Sequence, residues 1–336
     1  MVMLSHILPL LSLLFPLQVD SFPVIVENDV ALTTASLHTV YQYPLGTWVE
    51  NIAVRQNGNL LVTFIQPSAE IHELSPFHPL QTTDSAATLV HNFSNHSQLT
   101  GIAEFHPDVF AVIGDNTVYR VDFHNATNAT APSIKPIATL ATAGLLNGMA
   151  HLPHTRTLFI SDSELGLIWR VDAHSGNYTV HFQDETMSPT MDLGVELGIN
   201  GLRYLDGYVY YVNSPRRLFC RVPIDPVTGA VVGAAEVIAE GALSDDFNVR
   251  KEGGSSVGYL AGLNDNVVTR VTMDGAKEVV AGGLNSTDVA GATSGAFGRT
   301  VEDTDVLYVT TGGASAAPVN GTYVEGGKII ALKLGE

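Results

Sequence analysis

The chain has 336 residues, 45% of them hydrophobic and 15% charged, a balance that excludes an intrinsically disordered chain and supports a large packed core. Acidic residues outnumber basic ones 34 to 16, giving a formal charge of -18, which excludes a nucleic-acid groove or an anionic membrane surface as partner. The only cysteine, Cys220, permits no internal disulfide and no thiolate cluster, so stability has to come from burial.

Along the chain, the first element is an apolar run at residues 7–17 (ILPLLSLLFPL). It is too short to span a bilayer and has the length of a signal-peptide core, although no Lys or Arg precedes it. Residues 1–21 are therefore read as a signal peptide, with a buried strand as the competing reading, and residues 22–336 as one domain. N-x-S/T sequons at Asn92, Asn95, Asn125, Asn128, Asn177, Asn285 and Asn320 agree with entry into the secretory pathway and a glycosylated surface. Cys220 is then expected to be a buried small hydrophobe rather than a reactive thiol.

The next segment, 37–43 (LHTVYQY), reads as a strand with no hairpin partner nearby. After it, a three-strand pattern recurs. An opening segment appears at 49–53, 99–103, 146–150, 199–203, 244–248 and 292–296. Each is followed by a β-branched and aromatic strand, at 59–65, 109–113, 157–161, 208–212, 257–261 and 306–310. A third strand follows at 71–74, 118–121, 168–171, 219–222, 268–271 and 329–332. Arg120, Arg170, Arg221 and Arg270 hold one slot of that third strand, at separations of 50, 51 and 49 residues. A unit of that length holds four short strands with turns, which is a propeller blade. Helical periodicity is nearly absent. The fold expected is all-β, a six-bladed β-propeller closed by pairing 37–43 with the strand at 328–334.

In a propeller the innermost strands line the axis. The slot that opens them reads Glu50, Thr100, Asn147, Asn200, Asp245 and Thr293. Two carboxylates and two amides converging on one centre suit a hard ion such as Ca²⁺ or Mg²⁺, bound by Glu50, Asn147, Asn200 and Asp245. The bland alternative is that these residues only make turns. Other chemistry is thin. His151 and His154 lack the helical spacing of a zinc protease, Ser94, Ser161 and Ser294 lack a nucleophile elbow, and the Gly-rich stretches at 253–254 and 291–295 read as turns.

These repeats resemble the six-bladed propellers of the regucalcin and gluconolactonase superfamily over residues 36–334. That resemblance implies a divalent ion on the axis, with Glu50, Asn147, Asn200 and Asp245 at the ligand positions and Asp245 as the base of hydrolytic members. More particular stretches, 38–63 and 146–151 with Ser161-Asp-Ser, resemble a secreted fungal branch that includes the hetero-Diels-Alderases of tropolone sesquiterpenoid pathways. For that branch the resemblance implies a pericyclase. A hydroxymethyl tropolone loses water, and the quinone methide formed adds across an alkene of a humulene-type macrocycle.

Such a reaction needs a dry pocket and a proton donor for the departing hydroxyl, and no organic cofactor. Glu50 or Asp245 is the candidate acid, and Trp48, Phe64 and Phe247 are candidate wall residues. Asp245-Asp-Phe stands where the hydrolases favour Asp-Gly. The substrates expected are small hydrophobic molecules. The alternatives are a divalent-metal-dependent lactonase or esterase, and a non-catalytic binding propeller with a structural ion.

Overall fold

The computed structural model describes residues 36–77, 87–124 and 132–335. The proposed signal peptide and the sequons at Asn125 and Asn128 lie outside them. The strands form six four-stranded antiparallel sheets, a six-bladed propeller. The helical signal is one 3-10 turn, Glu185–Met187. Among the described residues, no helix is long and apolar enough to cross a membrane.

Burial explains why some strands announce themselves in sequence and others do not. The second strands of the blades are buried along most of their length, Val109–Gly114 and Thr157–Asp162 along all of it, because each is packed between two neighbouring sheets. They read accordingly as continuous apolar runs. The outermost strands, such as Ala87–Asn92 and Tyr178–Gln183, are mostly exposed or half-buried and carry polar residues that give no such run. Cys220 is fully buried, and burial pushes its thiol up to about 12, so it packs as a small apolar group.

Ser36–Gln42 pairs antiparallel with Lys328–Lys333, so the sixth sheet takes its outermost strand from the start of the described chain and its other three from the end. The sequence expectation of closure by this strand is met. Pairing removes the free edge that Lys328–Lys333, buried at five of its six positions, would otherwise present.

The innermost strands are Trp48–Val54, Leu99–His106, Leu146–His151, Ile199–Leu205, Phe247–Glu252 and Ala292–Phe297. They are stitched to one another by a ring of hydrogen bonds. The Thr63 hydroxyl donates to the Thr100 carbonyl (2.8 Å), and Thr100 Oγ1 donates to Leu146 O (3.0 Å). Ser161 Oγ donates to Asn200 O (2.5 Å), Gly201 N to Asp245 O (3.1 Å) and Asp246 N to Thr293 O (2.9 Å). The circuit closes where Thr293 Oγ1 donates to Val49 O (2.7 Å). Neighbouring backbones approach so closely here that a Cβ on Gly148 would lie 2.6 Å from Asn200 O and 2.7 Å from Leu202 N.

Gly148→Ala is therefore expected to force adjacent blades apart, at a cost of about 1–3 kcal/mol. A lowered denaturant midpoint with an unchanged slope would register it.

Candidate functional site

Five of the inner strands carry a register irregularity near their start. It falls between Val49 and Asn51, Leu99 and Ile102, Leu146 and Met149, Ile199 and Leu202, and Ala292 and Ser294. Glu50, Thr100, Asn147, Asn200 and Thr293 sit within these irregularities. A bulge leaves a residue outside the ladder and re-aims its side chain, which is how one slot in successive blades turns toward a common centre. The fifth blade has its bulge just ahead of the strand Phe247–Glu252, where Asp245 N donates to Ala261 O (2.8 Å) and Ala261 N to Asp246 O (2.9 Å), setting two residues opposite one.

Glu50, Thr100, Asn147, Asn200 and Asp245 line one cavity of about 380 Å³. Thr293 does not; it is fully buried in the hydrogen-bonded ring. The walls are largely apolar, built from Trp48, Ile65, Leu145, Leu263 and three residues of one loop, Leu193, Val195 and Leu197. Among the described residues, no Lys, Arg or His lines it. Of the three expected wall residues, Trp48 is in place. Phe64 packs edge-on against Tyr43 in a blade core, and its chain neighbour Ile65 faces the cavity instead, because successive strand residues point to opposite faces. Phe247 is fully buried against Phe219, with its backbone paired to Leu260. Both therefore belong to the core and not to the wall.

The four expected ligand residues share this cavity. Each asparagine donates its amide nitrogen to a serine, Asn147 to Ser163 Oγ (3.2 Å) and Asn200 to Ser214 Oγ (3.0 Å). Asn200 Nδ2 also donates to Asp245 Oδ1 (2.7 Å). These bonds fix the amide orientation and leave the amide oxygens as the atoms free to meet a ligand. Among the described residues, no group of three or more His, Cys, Asp or Glu side chains is arranged to hold a metal ion. The axial set reaches four donors only with its amide oxygens. Two carboxylates and two amide oxygens are nevertheless the donor chemistry that a hard divalent ion takes, and a cation would relieve the repulsion between the carboxylates. In that sense the residues fit such an ion.

The electrostatics are those of a buried acid pair. Burial above all, and then the charge of Asp245, push Glu50 well above the usual carboxylate range; the Trp48 indole N–H, donating to Glu50 Oε2 at 2.6 Å, pulls the other way. Burial and then Asp246 push Asp245 up to about 7 against the bond from Asn200.

Beneath the pair lies a constellation that the sequence did not reveal. Asp246 Oδ2 accepts from Asn51 Nδ2 (2.9 Å), Arg203 Nη2 (2.7 Å) and Ser294 Oγ (3.1 Å), tying four blades together on the axis. Asp245 and Asp246 are adjacent in sequence but differently employed. The second has a half-buried guanidinium partner and closes the floor, while the first faces the cavity with only an amide donor. What separates them is that both stand opposite the single residue Ala261, with Asp245 N donating to Ala261 O and Ala261 N to Asp246 O, a bulge that strand periodicity alone does not encode. His151, also weighed from sequence, bonds through Nε2 to Thr155 O (3.0 Å) and is a hairpin residue.

Comparison with known proteins bears directly on these features. A curated protein of Phoma sp named "Putative hetero-Diels-Alderase" is 31% identical over 324 residues, covering 84% of this chain and 88% of that protein. The chain belongs to the hetero-Diels-Alderase family. A second such protein, "Putative hetero-Diels-Alderase asR5" of Sarocladium schorii, is 27% identical over 314 residues, covering 81% of this chain and 77% of its own. No protein-family model matches the chain. Among solved structures, regucalcin from Agrobacterium tumefaciens (TM-score 0.60, 18% identity, 89% of this chain and 95% of that one) has the same fold. So does a gluconolactonase from Xanthomonas campestris (TM-score 0.63, 13% identity, 90% and 91%). This hetero-Diels-Alderase family member therefore sits on the regucalcin and gluconolactonase type of propeller.

An acid whose folded pKa is raised stabilises the fold at low pH and loses that contribution as pH climbs from the unfolded value, about 3.9, toward the folded one. For Asp245 the window ends near 7. In chelator-containing buffer, Asp245→Asn should melt several degrees above wild type at pH 8, at about 2–4 °C per kcal/mol, and at the same temperature below pH 4. Scanning calorimetry at both pH values checks this.

Proposed function

We propose that this protein is a pericyclase that dehydrates a neutral hydroxymethyl tropolone and then joins the resulting quinone methide to an alkene of a humulene-type sesquiterpene. The observation that carries the reading is the cavity itself: apolar walls, no cationic residue, and a pair of buried carboxyl groups at its base. Such a site disfavours anionic substrates and holds a carboxyl in its neutral, proton-donating form. The names of the relatives agree with the reaction class.

In this mechanism the hydroxymethyl oxygen lies against Glu50. With Oε2 bonded to the Trp48 indole, Oε1 carries the proton. As the carbon–oxygen bond breaks, that proton goes to the leaving hydroxyl and water departs. The enolic ring proton returns to the carboxyl pair, so the enzyme is regenerated and the net loss is one water. General acid help of this kind is worth about 10²–10⁴-fold. The cycloaddition that follows moves no proton. Its acceleration comes from holding both π systems within reach in a water-poor space, a contribution of up to about 7–11 kcal/mol for well-oriented partners. Asn147 and Asn200, their amide nitrogens anchored on serines, present oxygens that orient the tropolone hydroxyls.

A second reading, a metal-dependent lactonase, is favoured by one observation, the convergence of Glu50, Asn147, Asn200 and Asp245 on one cavity. Those residues would hold a calcium-like ion, which when bound polarises a carbonyl and acidifies water. Localisation fits a secreted glycoprotein: the sequon residues Asn92, Asn95, Asn177, Asn285 and Asn320 are all exposed.

Incubation of the protein with a hydroxymethyl tropolone and humulene is expected to yield an enantioenriched adduct, seen by chiral chromatography; a racemate at the background rate would overturn the reading. Glu50→Gln should slow dehydration about 10²–10⁴-fold. Chelator-sensitive hydrolysis of glucono-δ-lactone, restored by Ca²⁺, would instead favour the lactonase.

A further inference from the structure

The connection from the outer strand Tyr178–Gln183 to the inner strand Ile199–Leu205 does more than join two blades. Its first half is anchored. Met187 is fully buried, and Asn213 Nδ2 donates to Thr186 O (2.9 Å) and Ser188 O (3.0 Å). Its second half rises as a small hairpin, in which Thr190 and Leu197 exchange backbone hydrogen bonds (2.8 and 3.2 Å) and Gly194 N donates to Met191 O (2.9 Å). Leu193, Val195 and Leu197 of this hairpin line the cavity across from Trp48.

Two features set the hairpin apart from an ordinary loop. Its tip is apolar yet poorly covered: Met191 is 61% and Val195 54% exposed, and Leu193 and Leu197 are only half-buried. Among the described residues, those from 191 to 196 make no hydrogen bond to any other element; their polar bonds stay within the hairpin. Apolar side chains at a cavity rim, with no polar tie to the scaffold and a firm foot below, gain burial chiefly from whatever enters the cavity. The carboxylates and amides lie at the base, so the polar component of a bimolecular reaction occupies that end and the hydrocarbon component the rim.

We propose that the Thr190–Leu197 hairpin is the specificity element for the alkene partner. Leu193 and Leu197, with Val195 at the edge, grip one face of a neutral sesquiterpene-size polyene and press it toward Trp48, in register with the tropolone-derived component below. The assignment rests on the pericyclase reading of the same cavity.

The full-length protein supplies its own probe. Of its two tryptophans, Trp48 lines the cavity, whereas Trp169 is buried and donates to Asp162 Oδ2 (2.9 Å), giving a constant background. Titration of α-humulene alone should shift Trp48 emission in wild type. Leu193→Asn combined with Leu197→Asn should raise the apparent Kd tenfold or more, while Met191→Ser, on the outward side, should leave it unchanged. In turnover, the double variant should raise KM for the polyene, whereas Met191→Ser should leave unchanged both that KM and the dehydration rate, read by trapping the quinone methide with a thiol. Should the double variant fail to fold, Leu193→Ala alone should still weaken binding severalfold. Equal Kd values in wild type and folded variants, or no humulene binding by wild type, would overturn the hairpin assignment. Humulene binding that depends on the hairpin but leads to no adduct would overturn the pericyclase reading and leave the hairpin as a polyene-binding element only.

Discussion

The architecture depends on how tightly six inner strands can crowd one axis. Backbone meets backbone there, and each blade hands a hydrogen bond to the next in the same rotational sense, from Thr63 round to Thr293 and back to Val49. Side chains at this depth have to be absent, as at Gly148, or have to be donors that satisfy a neighbouring carbonyl, as with Thr100 and Ser161. The cavity exists because the bulges lie just above this ring. They free one residue per blade from sheet pairing and, in five of the six, bring it to the cavity above the floor.

That floor determines the chemistry above it. Asp246 pairs with Arg203 and accepts from Asn51 and Ser294, and its field falls on Asp245. Asp245 in turn acts on Glu50. A stack of carboxylates in which only the lowest has a cationic partner is a way to hold protons at the top. The same stack offers oxygens to a hard cation. A bound ion and a neutral carboxyl are competing answers to the same repulsion.

Much of this was legible in the sequence where physics makes the pattern local. The second strands are buried on both faces, so their β-branched runs and the spacing of Arg120, Arg170, Arg221 and Arg270 gave the blade count directly. The inward slot was legible because it is the second residue of each opening segment in the repeat. The outer strands were not legible, since residues such as those of Tyr178–Gln183 face solvent and lack a run. Phe64 and Phe247 were misplaced because an aromatic side chain near a cavity and one buried beside it differ only by the parity of the strand, as Ile65 illustrates. The Asp246 cluster joins residues far apart in sequence, and no local period encodes it.

The seam between Ser36–Gln42 and Lys328–Lys333 has a consequence for biogenesis. During synthesis Ser36–Gln42 has no partner until Lys328–Lys333 has left the ribosome. Blades one to five can collapse in turn as neighbours become available, so this seam forms after them. The floor of the cavity draws on blades one, four, five and six, and its side chains meet only once blades far apart along the chain have come together.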